Sequence, residues 1–432
     1  MTPIDLVPAE AHARELDQTD PLAALRDEFL IPLDSDGSEQ AYFCGNSLGL
    51  QPRAVRAALI EELEDWHDLA VEAHFRGRHP WMNYHEFVRD DLAAVVGALS
   101  HEVVAMGSLT ANLHFMMVSF YRPTRERNAI LIEKSAFPSD QYAVASQIRF
   151  HGYDPMTSLI EIEGDESNGT ISPEQVLRAI DEHGSRIALV LLPGVQYLTG
   201  QAFDLAEITR AARRKGCQVG FDLAHATGNL PLQLHDSGCD FAVWCSYKYL
   251  NAGPGAVAGC FVHERHADAH DLPRFAGWWG HDKATRFQMH PQFVPAHGAD
   301  AWQHSNPPIL ALAPLRVSLA IFRRVGIAAL RAKSEALTAY FDGLIRAHAA
   351  DVLDVVTPND PQRRGCQLSL RVTGTPETGR ALHDHLHARG VIVDWREPDV
   401  IRAAPTPLYN RHIDCLRFVH AVREWADARA TS

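Results

Sequence analysis

QVGFDLAHATGNLPLQLHDSGCDFAVWCSYKY, residues 218–249, contains two apolar runs, each followed at once by chemically active side chains. Gln218–Asp222 and Asp240–Cys245 are continuously apolar rather than alternating, the pattern of strands covered on both faces. Working outward, Ala129–Glu133, Ile187–Leu192 and Ala256–Val262 repeat that pattern. Pro173–His183 and Asp204–Lys215 read as helices between them, with Ser172 and Phe203-Asp204 as start signals. Strands alternating with helices predict an α/β core around a mainly parallel sheet.

The flanks differ from this core. From Gln51 to about Gly97 the pattern is helical, with Val55, Leu59, Leu63 and Trp66 at three- to four-residue spacing, and Arg76-Gly77-Arg78-His79-Pro80 interrupts it as a loop. From about Ala311 a long helical pattern leads into strands near Gln367–Val372 and Val391–Asp394, as expected of a smaller α+β domain. The expected division is an N-terminal arm over 1–40, a large α/β domain over 41–310 and a small C-terminal domain over 311–432.

Composition narrows the function. The 432 residues carry 40 basic and 54 acidic side chains, a formal net charge of −14, which opposes general attraction to nucleic acids or anionic membranes. No apolar run approaches the roughly 20 residues that span a bilayer, and the first residues lack the apolar stretch of a secretory signal. Seven scattered cysteines without a C-x-x-C pair argue against a disulfide framework or a cysteine zinc site. The expected setting is the cytoplasm, and the expected partner a small molecule.

In an α/β sheet, groups just beyond the carboxyl ends of strands meet at a ligand crevice. Asp222 ends one predicted strand and Lys248 follows another, so the two can converge. Alone, each has a plain reading: Asp222 as a helix cap, His225 as a core histidine, Lys248 as a solvated loop residue. Together they suit pyridoxal 5'-phosphate. A lysine amine forms an imine with its aldehyde, and a carboxylate beside the ring nitrogen favours the protonated ring that draws electrons. Gly107-Ser108-Leu109-Thr110 reads as a loop entering a helix, where free N–H groups suit a phosphate. Gly253–Gly259 runs into a strand, the reverse of a nucleotide loop's order, and is read as turn and packing glycine.

Seven blocks extend this reading: FCGNSLGLQP (43–52), AFPSD (136–140), GFDLAHATGN (220–229), WCSYKYLNAGPG (244–255), GWWGH (277–281), SNPP (305–308) and RAAPTPLYN (402–410). In this order they resemble the kynureninase family, fold-type-I pyridoxal-phosphate hydrolases of the aminotransferase class V group. The resemblance implies hydrolysis of kynurenine, its 3-hydroxy form or both, to the corresponding anthranilate and alanine in tryptophan degradation. It makes Lys248 the imine-forming lysine, Asp222 the partner of the ring nitrogen, His225 a neighbour of the cofactor, and Tyr247 a residue serving phosphate and proton transfer. Lys248, Tyr247 and Asp222 are thus the implied catalytic residues. Leu109 and Thr110 match phosphate-loop positions, and Phe137, Pro138, Ser139 and Asp140 match the segment that stacks on the ring and borders its 3-hydroxyl. Trp278 and Asn306 match cofactor contacts supplied by a neighbouring subunit, which implies a homodimer with a shared site. Arg402 matches the residue taking the substrate α-carboxylate, a task suited to a planar bidentate fork. Ser47, His74 and Asn306 match positions lining the substrate ring. Pro193 departs from the pattern, standing where some members have a serine near the cofactor.

The alternatives on the same fold are a cysteine desulfurase or selenocysteine lyase and an aminotransferase. The first needs a nucleophilic cysteine on a mobile loop. Cys366 precedes an apolar strand, so a buried structural role is expected of it. Two histidine groups, His263/His266/His270 and His383/His385/His387, lack the spacing of a helical zinc site, so no metal is expected from them.

Overall fold

A computed structural model describes residues 6–430. They form two compact units, one comprising residues 55–195 and 203–324, the other comprising the described residues up to Ala54 together with 196–202 and those from Val325 onward. In chain order the strands begin with β1 (Ala41–Tyr42), which belongs to the smaller unit. The larger unit then contributes β2 (Val103–Ala105), β3 (Ala129–Glu133), β4 (Leu159–Ile162), β5 (Ile187–Pro193), β6 (Gln218–Asp222), β7 (Phe241–Trp244) and β8 (Gly259–Val262). The smaller unit ends with β9 (Leu353–Val355), β10 (Leu368–Val372), β11 (Val391–Ile392), β12 (Asp394–Arg396) and β13 (Val400–Ala403).

The larger unit is built on one seven-stranded sheet in the order β2-β8-β7-β6-β5-β3-β4. β7, β6, β5, β3 and β4 pair in parallel, and β8 alone runs against its neighbours. β3, β7 and β8 are buried throughout, which is why their sequences show no polar alternation. A core of residues including Val104, Met116, Ile130, Leu189, Phe241 and Trp302 packs on this sheet. Close packing explains Gly220, since a Cβ there would lie 2.1 Å from the Phe241 ring. The helix Pro173–His183 starts with the anticipated capping box, in which Ser172 accepts from Gln175 N and the Gln175 side chain accepts from Ser172 N. Asp204 likewise caps Leu205–Arg214.

In the smaller unit, β9, β10, β13 and β12 form an antiparallel sheet. A separate parallel pair joins β1 to β11. The grouping of the chain differs from the expected one: residues 6–54 join the C-terminal unit, and the boundary falls at Arg324/Val325. Pairing of β1 with β11 accounts for the first difference, reinforced by the helix Leu6–Thr19, where Asp17 Oδ1 accepts from His412 N at 2.7 Å. The second arises because the helix Ile309–Val325 keeps nearly all of its length with the larger unit.

Candidate active site

Parallel strands place their following loops at one end of the sheet, and the candidate residues gather there in the larger unit. Asp222 is the last residue of β6, paired in register with Pro193 of β5 and Val243 of β7. Lys248 lies in the turn after β7, and its Nζ is 2.9 Å from His225 Nε2. Oδ1 of Asp222 accepts from Ala224 N at 2.7 Å, a turn that carries the chain from the strand back to His225. Asp140 reaches the same cluster from the first turn of the helix Pro138–Phe150 and hydrogen-bonds to Asp222. The chain therefore brings Lys248, His225, Asp222 and Asp140 together from three separate segments.

The electrostatics of this cluster follow from burial. Asp140 and Asp222 are almost wholly buried, and loss of water raises both carboxyls above the usual range. Asp140 rises well above it, because Asp222 and Glu133 add like-charge repulsion that Lys248 only partly offsets. Asp222 is held back by the Ala224 N–H, by Lys248 and by the Asp140 hydrogen bond. Asp140 therefore keeps the proton and donates it to Asp222, which is the acceptor. Glu133, the last residue of β3, is a third member, pushed up to about 8 by burial and the charge of Asp222. It is absent from the family-matched positions, although a carboxylate ending the apolar run AILIE was a visible signal.

Tyr247 hydrogen-bonds with the Cys245 thiol, and burial raises its phenol further above its ordinary value, so it stays protonated at neutral pH. Leu109 and Thr110 open the helix Leu109–Phe120, whose N-cap Ser108 makes no side-chain capping bond. First-turn N–H groups have no partner within a helix. The turn before it is set by Gly107, at φ +53°, where a Cβ would lie 2.5 Å from Asn112 Oδ1. β2, which leads into this turn, runs in the same direction as β6 and β7 because β8 is antiparallel to both β2 and β7. The helix start thus lies at the same end of the sheet as Asp222 and Lys248.

These residues suit pyridoxal phosphate on observations internal to the larger unit. An amine, a carboxylate and a helix N-terminus lie at one end of one sheet, and Asp140 Oδ1 is buried without a hydrogen-bond partner. Phe137, Pro138 and Ser139 occupy the N-cap and first positions of the helix carrying Asp140, with Phe137 42 % exposed.

The other matched positions of the larger unit are Trp278, Asn306 and His74. Trp278 is 42 % exposed, with Phe287 packed edge-on at 5.4 Å and its Nε1 donating to Arg286 O. Asn306 is exposed, and His74 Nδ1 lies 3.0 Å from Val71 O. In the smaller unit Ser47 is half-buried. Arg402, on β13, is 1 % exposed; its Nε donates to Asp394 Oδ1 at 2.7 Å, its Nη2 to Asp394 Oδ2, and its Nη1 to Tyr197 O at 2.7 Å.

Known proteins bear on this arrangement as follows. A family model described as the kynureninase C-terminal domain matches residues 330–422. A kynureninase of Xanthomonas euvesicatoria pv. vesicatoria (strain 85-10) is 64% identical over 420 residues, covering 97% of this chain and 99% of its own. One of Stenotrophomonas maltophilia (strain K279a) is 63% identical over 418 residues, covering 97% and 98%. Among solved structures, the apo cysteine desulfurase of Thermococcus onnurineus NA1 superposes with a TM-score of 0.74 at 16% identity, covering 96% of this chain and 98% of that one. A complex of the cystine C-S lyase C-DES with cysteine persulfide gives 0.74 at 17%, covering 89% and 97%. At that identity the two structures share the fold alone.

Proposed function

The chain belongs to the kynureninase family, and from that premise we propose that Lys248 and Asp222 hold pyridoxal phosphate for the hydrolytic cleavage of kynurenine, its 3-hydroxy form or both. The observation that carries this reading is the buried cluster in which Lys248, His225, Asp222 and Asp140 meet at the carboxyl ends of β6 and β7. When bound, the cofactor supplies an aldehyde that condenses with an amine and a ring that accepts electron density from the substrate's α-carbon.

Each residue then has a defined task. Asp222 would lie beside the ring nitrogen, where its negative charge would favour the protonated ring. Asp140, holding its own proton, donates rather than accepts, so the site carries one carboxylate charge there instead of two. The first-turn N–H groups around Leu109 and Thr110 receive the phosphate. Phe137 would cover a ring face. With cofactor and substrate bound, Lys248 Nζ would serve as the base for the α-proton, with the His225 ring 2.9 Å away to fix its position. Tyr247, neutral at physiological pH, is the proton donor to the reacting carbons.

Arg402 takes the substrate carboxylate. Its Asp394 and Tyr197 contacts lock the guanidinium plane, and the N–H bonds not used by them remain for the ligand. Ser47, His74 and Asn306 line the substrate ring. The working unit is a homodimer in which Trp278 and Asn306 reach the neighbour's cofactor. Their exposure supports this, as does an apolar pocket of about 470 Å³ lined by Trp66, Trp81 and Pro308–Ala311. Among the described residues no helix is long and apolar enough to cross a membrane. All seven cysteines are free and buried, which suits the reducing cytoplasm. A desulfurase reading finds no support in Cys366, which is wholly buried before β10.

The test is spectroscopic. Purified protein should show the visible band of imine-bound cofactor and release fluorescent anthranilate from kynurenine. Lys248→Ala loses both; a variant that keeps the band and full turnover overturns the assignment.

A further inference from the structure

A second group of ligand-type side chains lies in the larger unit at the opposite end of the sheet. Glu102 immediately precedes β2, His263 immediately follows β8, and these strands pair with Val103 opposite Phe261. Val262 pairs with Phe241 at the start of β7, whereas Lys248 follows that strand's other end. The short helix Leu234–Ser237 adds His235. Three segments distant in sequence therefore converge on one point, which explains why the spacing within His263, His266 and His270 did not reveal it.

The geometry points to a divalent transition-metal site, and we infer that Glu102, His235 and His263 bind Zn²⁺ or a similar ion as a structural clip on this sheet edge. The carboxylate of Glu102 is fully buried. Its Oε1 lies 3.0 Å from His235 Nδ1 and 3.7 Å from His263 Nδ1. One ligand atom from each of the three residues falls within 4.8 Å of the others. A tetrahedral ion bonded at ~2.0–2.2 Å sets its ligand atoms about 3.4 Å apart, so the two measured separations bracket the bite that such an ion needs.

His263 Nδ1 accepts from Arg265 N at 3.2 Å, so it carries a lone pair and no proton. Nδ1 and the Glu102 Oε1 lie 3.7 Å apart, a span a cation bridges by taking that lone pair over from the Arg265 N–H. His235 now donates to or shares a proton with Glu102, and metal binding releases it. On its far side, Glu264 Oε1 is 4.0 Å from His235 Nε2, placed to hold that N–H as an outer-shell carboxylate. The Arg265 guanidinium is engaged by Asp240 and by the carbonyls of Gly238 and Cys239. His101 faces Glu264 at 3.9 Å. A water completes the fourth position.

Chelator-stripped holoenzyme is titrated with Co²⁺, which reports a tetrahedral site through its visible absorption, and Zn²⁺ is then added in competition. The expected result is one saturable equivalent per chain, displaced by Zn²⁺. His235→Ala and His263→Ala each weaken that equivalent at least about tenfold, the loss that outer-shell changes alone produce. Kynurenine turnover stays at the parent level, and Zn²⁺ raises the melting temperature of the parent but not of His235→Ala. His235 is 31% exposed, so this variant tests the site even if His263→Ala folds poorly. Absence of a saturable equivalent in the parent, or equal binding by His235→Ala, overturns the inference. Neither result depends on the kynurenine activity.

Discussion

Glu133→Gln tests the electrostatic account of the cofactor cluster without removing any residue that touches the reacting atoms. The carboxyl of Glu133 is held protonated up to about 8, against 4.5 for the free side chain. Between these values the folded protein binds a proton that the unfolded chain has released. Stability is therefore fully supported below about pH 4.5 and falls as pH rises toward 8. From 4.5 to 7 the span is 2.5 units, and at about 1.36 kcal/mol per unit this is ~3 kcal/mol lost at neutral pH. Glutamine has nearly the same shape and no proton to lose, so the substitution removes this pH dependence. In cofactor-free protein, the urea midpoint of the variant should rise relative to the parent's as the buffer moves from about pH 5 to about pH 7.5. Parallel pH profiles for the two proteins would refute the reasoning and place Glu133 in contact with water or with a cation.

Two further perturbations probe other parts of the site. Arg402→Ala removes charge-assisted hydrogen bonds of ~1.5–3 kcal/mol, so KM for kynurenine should rise roughly tenfold or more while kcat changes less; an unchanged KM in steady-state assays excludes a carboxylate clamp at this position. Gly220→Ala drives a methyl into the Phe241 ring, with 2.1 Å between them, and overpacking of this kind destabilises by ~1–3 kcal/mol or more. Its thermal melt should fall by several degrees, and an unaltered melt means that β6 and β7 separate more freely than their register implies.

The sheet was legible because its strands are buried on both faces. Ala129–Glu133 and Gln218–Asp222 appear in the structure with the bounds their apolar runs suggest. Ser172 and Asp204 mark helix starts through local hydrogen bonds that need no tertiary partner. β2 and β4 escaped notice: β2 is only three residues long, and β4, at the sheet edge, leaves Glu161 exposed. β13 was hidden by Arg402, a charge inside a four-residue buried strand that Asp394 and Tyr197 make tolerable.

By itself the chain determined the α/β class and the helix boundaries set by capping, because each is encoded by residues near in sequence; a family pattern also suggested that an amine at 248 and a carboxylate at 222 belong to one site. Only the tertiary structure decided which carboxyls share a proton beside that amine, and which histidines face Glu102. Those properties depend on loss of water and on distances between segments that sequence order leaves far apart. Burial is a collective property of the folded sheet, and no single stretch of residues contains it.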